Sequence, residues 1–350
     1  MAEVITLPGL IDLHVHLRDP GQTHKEDFYT GSSAALAGGF TTIVDMPNNQ
    51  RLITNSELLV EKISSAKSKT VCDIGFNFGT LGDNLDQFEA IYDKVVGLKV
   101  YLNITTGGFI VDKPKLAEIY KAWESDKPIF LHAEEDVSDL VTSTLREIER
   151  KTHICHVSSE DELKFVMKAK EAGLPVTCGV TPHHLFLSDK DTERLGPYAN
   201  VKPYLKPESD QKFLWDHLDA IDIIESDHAP HTRQEKESNE PPFGLPGLET
   251  TLPLILTAEA EGRISRQQLL EKLHFTPAKI INLETNPETK IEVSMEEYEI
   301  KNEDLKTKCG WSPYAGKKVI GKIERVNLRG QLVYEHGKIL TQPGSGKTIS

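Results

Sequence analysis

Eight short runs rich in β-branched and apolar residues recur along the chain, each followed by enough sequence for a helix. This alternation limits the fold more than any other feature. The runs are LIDLHVHL (10–17), TTIVDMP (41–47), CDIGFNFG (72–79), GLKVYL (97–102), PIFLHA (128–133), HICHVS (153–158), VTCGVTP (176–182) and DIIESD (222–227). Helical patterns lie between them, among them 56–67, 115–125 and 161–173, the last with Ser159 and Glu162 spaced as a capping box and Gly173 as its stop. Strand-then-helix units also build open doubly wound sheets. Eight of them in 350 residues suit closure better, so the expected fold is α/β, a (β/α)8 TIM barrel.

After residue 313 the pattern changes. Residues 317–340 alternate as strands do, with RGQ and EHGK as turns. The expected organisation is a barrel over 1–312, a small β appendage over 313–340 and a flexible tail over 341–350. The tail's PGSGKTIS is no phosphate loop, because Thr341 stands where the first glycine of that motif belongs and no helix follows. The chain starts almost directly at the first barrel strand, leaving little room for a β segment before it.

A net charge of −14 argues against a nucleic-acid or membrane-surface partner. No window approaches the ~18 apolar residues of a membrane span, and the N-terminus lacks the basic and small-residue marks of a signal peptide. Cys72, Cys155, Cys178 and Cys309 form no C-x-x-C pair. A reduced, cytoplasmic protein is the simplest reading.

Polar residues gather at the strand ends. His14 and His16 sit on the first run, Asn48 follows the second, Lys99 lies in the fourth, and His132, His156 and Asp227 close the fifth, sixth and eighth. In a parallel barrel these ends share one mouth, and residues two apart on a strand point the same way, so His14, His16 and Arg18 face it together. A single strand histidine is usually structural. Four with an aspartate at one mouth are a ligand set suited to catalytic zinc. His24, His217, His274 and His336 fall outside the set, His184 reads as structural, and His153 and His183 are ambiguous. Lys99 is the unusual member, since an ammonium beside metal ions would repel them. Either it pairs with an acid at the rim, or its neutral amine takes up carbon dioxide and, losing a proton, becomes a carbamate that offers one oxygen to each of two metals.

These motifs resemble the amidohydrolase superfamily and, within it, the dihydroorotases. The matching stretches are LPGLIDLHVHLRDPGQTHKEDF, MPN (46–48), GLKVYLN (97–103), HAE (132–134), HICHV (153–157), PHHLFLS, SDHAPHT and GLPGLETTLPL. The nearest pattern is the dihydroorotase domain of the animal multifunctional pyrimidine-synthesis protein. The resemblance implies two Zn²⁺ per chain, one on His14, His16 and Asp227, the other on His132 and His156, with carboxylated Lys99 between. It implies that Arg18, Asn48 and His231 hold the substrate's α-carboxylate, that Thr105, Lys202 and Gly244 also contact substrate, and that Asp227 is the general acid and base. The reaction would be reversible cyclisation of carbamoyl aspartate to dihydroorotate, by a homodimer associated with or fused to aspartate transcarbamoylase.

Arg18 separates the near relatives, because hydantoinase- and allantoinase-like members lack this arginine and their substrates lack a ring carboxylate. Four positions depart from the animal pattern: Gly179 for a glutamate, Lys202 for an arginine, Thr106 for a phenylalanine and Phe243 for a proline. Gly179 is expected to leave room for water near the metals. These departures keep two alternatives open, a degenerate scaffold domain and another cyclic amidase. The segment 103–114 reads either as a plain turn or as a mobile loop hinged at Gly107 and Gly108; the resemblance implies a loop that closes over substrate.

Overall fold

The computed structural model describes residues 3–105 and 110–350. A short strand β1 (Val4–Pro8) comes first. Eight parallel strands then pair in chain order: β2 (Leu10–Val15), β3 (Phe40–Asp45), β4 (Asp73–Gly79), β5 (Gly97–Tyr101), β6 (Ile129–His132), β7 (Thr152–Ile154), β8 (Val176–Val180) and β9 (Ile223–Ile224). Every expected run is a strand. β2 and β3 are buried at every position, as strands are when helices cover one face and a filled barrel the other. One parallel bridge, Val15 to His228, and the 2.8 Å bond from His16 N–H to His228 O join the last strand's extension to the first. The strand ends therefore ring one mouth.

The appendage is larger than 313–340. β10 (Lys290–Glu299), β11 (Lys318–Leu328), β12 (Gln331–Glu335) and β13 (Lys338–Ile339) form an antiparallel sheet that β1 completes along β10. Five residues thus suffice for a β segment ahead of the barrel. β11 shows the alternating burial expected of it; β1 and β10 escaped notice because their pairing joins residues nearly 300 positions apart, which local periodicity does not report. The tail, expected to be flexible, is docked. Ile74 N–H donates to Lys347 O at 2.8 Å, Ile349 N–H to Ile74 O at 2.9 Å, and Lys347 N–H to Asp73 Oδ1 at 2.8 Å. Its glycine- and serine-rich composition suggests mobility, but the start of β4, paired with β3 and open on its β5 side, supplies main-chain partners that hold it.

Ser159 caps the helix Glu160–Glu171, accepting from Glu162 N–H at 3.2 Å. The box is not reciprocal, because the Glu162 carboxylate turns to Ser158 N–H instead. Gly173 follows in the left-handed conformation (φ +75°) expected after a helix end.

A buried ion pair braces the mouth. Lys62 Nζ lies 2.8 Å from Asp45 Oδ2, with both side chains almost fully buried, and also donates to Met46 O and Asn49 Oδ1. The other Asp45 oxygen accepts from Leu17 N–H at 2.8 Å and so sets the chain between His16 and Arg18. Lys62→Met should strand Asp45 as an unpaired buried charge and cost about 3 kcal/mol or more. Urea unfolding measures this, and a loss below about 1 kcal/mol would contradict the bracing role.

Candidate active site

His14 and His16 leave β2 on one face, and Asp227 arrives from beyond β9. His16 Nε2 lies 3.1 Å and His14 Nε2 3.5 Å from Asp227 Oδ1. Two ligands ~2.1 Å from one tetrahedral zinc stand ~3.4 Å apart, so these three side chains already hold a zinc ligand spacing. Across the mouth, His132 Nδ1 and His156 Nε2 are 2.9 Å apart. The His14 ring is 5.1 Å from that of His156, so the two groups are contiguous. Lys99, wholly buried, donates from Nζ to Cys155 Sγ at 3.1 Å and lies 4.8 Å from the Tyr101 ring centre.

Electrostatics favours the metal-ready protonation states. Burial, then the Lys99 ammonium, pushes His14 down to about 4. His132 and His156 are also held below the usual histidine range, first by burial, to which Lys99 adds at His132 and neighbouring imidazoles and then Lys99 add at His156. Burial alone would raise Asp227, but the His14 and His16 imidazoles outweigh it and keep the carboxylate ionised. Neutral imidazoles and a carboxylate are the donors zinc takes.

The supporting contacts select which nitrogen faces the metal. His16 Nδ1–H donates to Asn48 Oδ1 at 2.6 Å, leaving Nε2 toward Asp227. Asp12 accepts from His14 N–H at 3.0 Å and Ser226 N–H at 3.1 Å, tying β2 to the segment that carries Asp227; burial pushes Asp12 up to about 7. Arg18, His156 and Asp227 all adopt positive φ (62°, 41° and 44°). Such conformations cost on the order of 1–3 kcal/mol each and persist where the surroundings impose them.

A cavity of about 380 Å³ opens over this cluster, lined in part by Arg18, Asn48, Tyr101, Thr105, Lys202, Phe243 and Gly244. Arg18 Nε donates to Pro230 O at 3.2 Å. His231 stands one layer back from the cavity: fully buried, its Nε2–H donates to Phe243 O at 2.9 Å and its Nδ1 meets Lys25 Nζ at 3.2 Å, with Arg18 Nη2 3.1 Å from Nε2. Its contact is with Arg18. Lys202 lies at the rim, 3.6 Å from Glu134 and 3.9 Å from the Tyr204 ring centre. Gly244 (φ +131°) admits no side chain, since a Cβ there would stand 2.5 Å from Ala229 O. Thr106, Gly107 and Gly108 lie outside the described residues.

One expectation changes. Gly179 does not open space for water, because a Cβ there would meet the Glu225 carboxylate at 2.5 Å. Glu225 itself was overlooked, although it precedes Asp227 by two and so shares its strand face, as His14 shares that of His16. Tyr101 was also missed. His184 is structural, bonded to Thr181 Oγ1 and Pro203 O. His153 is bonded to Thr177 Oγ1 at 2.9 Å and faces Glu225, whereas His183 is buried on the helix that follows β8.

The amidohydrolase family model matches residues 5–286. Multifunctional protein CAD of Squalus acanthias is 43% identical over 99% of this chain, which spans only 16% of that protein. The dihydroorotase of Pyrococcus abyssi is 36% identical over 99% of this chain and 87% of its own length. Among solved structures, the L-hydantoinase of Arthrobacter aurescens superposes with a TM-score of 0.93 at 25% identity, over 98% of this chain and 88% of that one. The inactive dihydroorotase-like domain of the Chaetomium thermophilum CAD-like multifunctional protein superposes with a TM-score of 0.85 at 26% identity, over 99% and 100%.

Asn48→Leu removes the acceptor that orients His16. Zinc affinity measured by chelator competition should fall ~10- to 100-fold with the fold intact; unchanged affinity would count against that orienting role.

Proposed function

The chain belongs to the amidohydrolase family, on its dihydroorotase branch, and from that premise we propose that it interconverts N-carbamoyl-L-aspartate and L-dihydroorotate in pyrimidine synthesis. The observation that carries this reading is Arg18, buried beside the ligand cluster with its side chain on the cavity. A guanidinium forks onto a carboxylate with two parallel hydrogen bonds. Dihydroorotate has a ring carboxylate for it, whereas hydantoins and dihydrouracil do not.

Two zinc ions would be held here, one by His14, His16 and Asp227 and the other by His132 and His156, with Lys99, once carboxylated, as a further ligand. When bound they supply Lewis acidity and bring the pKa of the attacking water towards ~7. Arg18 and the Asn48 amide hold the ring carboxylate, His231 backs Arg18, and Thr105, Lys202 and Gly244 bound the ring. In ring opening, water oxygen adds to the ring amide carbon and the carbon–nitrogen bond breaks. Asp227 takes the water's proton and returns it to the departing nitrogen. Ring closure runs through the same groups in reverse. Position suits Asp227 to both transfers, since its carboxylate stands beside the cluster, within 3.5 Å of the His14 and His16 rings.

The scaffold alternative draws on the inactive domain of similar fold. All six ligand residues are present here, which favours turnover. The same reading carries a cytoplasmic homodimer, beside or fused to aspartate transcarbamoylase. Purified zinc-loaded protein assayed in both directions decides between enzyme and scaffold.

Arg18→Met should retain the metals and lose about 2–4 kcal/mol of transition-state binding, or ~30- to 1000-fold in kcat/KM for dihydroorotate. Hydrolysis of dihydrouracil should hardly change. Equal loss on both substrates would make Arg18 structural and remove the basis of the substrate assignment. Lys99→Ala should lose most of the bound zinc and nearly all turnover, with partial recovery on adding small carboxylic acids. Full metal content and activity in that variant would refute a bridging role.

A further inference from the structure

Glu225 lies at the base of the site and is fully buried. Its Oε1 accepts from the backbone N–H of His156 at 2.5 Å. Its Oε2 faces two imidazole nitrogens, His14 Nδ1 at 3.6 Å and His153 Nε2 at 3.5 Å. At these distances none of the three atoms has a hydrogen-bond partner among the described residues.

The proton positions agree around the ring of contacts. The Thr177 hydroxyl beside His153 Nδ1, 2.9 Å away, can donate to it. That leaves the His153 proton on Nε2, directed at Glu225. His14 Nε2 faces Asp227 on the side a metal would take, so with a metal there its proton would sit on Nδ1, again directed at Glu225. The carboxylate thus takes one N–H bond, from His156, and faces two imidazole nitrogens that have no other partner among the described residues.

Gly179, on the neighbouring strand β8, makes room for it. A Cβ at 179 would stand 2.5 Å from Oε1 and 2.6 Å from the carboxyl carbon. Space that any other residue at 179 would fill is taken by the Glu225 side chain.

We propose that Glu225 is a positioning residue for both halves of the metal centre: it fixes the His14 ring with Nε2 toward the first metal and pins the backbone that presents His156 to the second, and Gly179 is the residue that admits it. This rests on the metal-centre reading above, and it acts through His14 and His156 without contact to substrate. Carboxylates behind metal-bound histidines typically govern ~10- to 100-fold in metal affinity or activity.

The test uses the full chain, stripped of metal and reloaded with zinc, in four forms: wild type, Glu225→Gln, Glu225→Ala and Gly179→Ala. Nitrogen-15 spectra of labelled histidine in the metal-free protein should show His14 protonated on Nδ1 in the wild type and a mixture of tautomers in Glu225→Ala. Zinc affinity by chelator competition should fall ~10- to 100-fold in Glu225→Ala, less in Glu225→Gln, and kcat should fall more than KM rises. Gly179→Ala should reproduce part of the loss by displacing the carboxylate. The double variant Gly179→Ala/Glu225→Ala should be no worse than Glu225→Ala, because both changes remove one contact. If Glu225→Ala does not fold, Glu225→Gln and Gly179→Ala carry the same readouts. Unchanged tautomer and zinc affinity in folded variants would overturn the proposal. So would a third zinc equivalent lost only on changing Glu225, which would make it a ligand of another ion. A wild type that binds no zinc would defeat the metal reading, while the tautomer spectrum would still judge the Glu225–His14 contact.

Discussion

The first and last barrel strands meet at a seam of one bridge, Val15 to His228, and one hydrogen bond from His16 N–H to His228 O. The short distances around Asp227 depend on that seam. Asp227 is more than 200 residues from His14 and His16, yet its oxygen is within 3.5 Å of both rings. Asp12 reinforces the seam from below by accepting from both His14 N–H and Ser226 N–H. Without closure, the two histidines and the aspartate would be separate polar groups buried at cost.

Concentrating so many ionisable groups in a low-dielectric mouth is expensive unless each has a partner. Here the carboxylates and imidazoles neutralise one another's cost. Asp227 is held by His14 and His16, Glu225 by His14, His153 and the His156 amide, and Asp45 by Lys62 and the Leu17 amide. The same contacts hold Arg18, His156 and Asp227 in left-handed backbone conformations. Packing energy from the barrel is thereby spent on side-chain direction, the form in which a scaffold contributes to a site.

The wall that receives Arg18 is built differently, from loops. Lys236 Nζ donates at 3.0 Å each to Asn200 O, Pro242 O and Gly244 O, which gathers the Phe243–Gly244 segment against the cavity. Phe243 O in turn accepts from His231, and His231 abuts Arg18. A cation and two main-chain turns thus determine where the guanidinium stands, and Gly244 is required because Ala229 O leaves no space for a side chain.

The eight strand runs and the residues at their ends were legible in the sequence, because burial on both faces imposes continuous apolar runs and a chemical site interrupts them. His14, His16, Lys99, His132, His156 and Asp227 were found that way. Glu225 obeyed the same two-residue spacing from Asp227 but was read as part of a strand, since nothing local shows that Gly179 leaves space for it. The strand Val4–Pro8, the docked tail and the place of His231 behind Arg18 were likewise decided by pairing across the chain. Residue type and spacing determine which chemistry is available and on which face of a strand it lies. Which groups touch, which nitrogen carries the proton and which loop meets which edge depend on contacts between distant segments, and only the closed barrel brings those segments together.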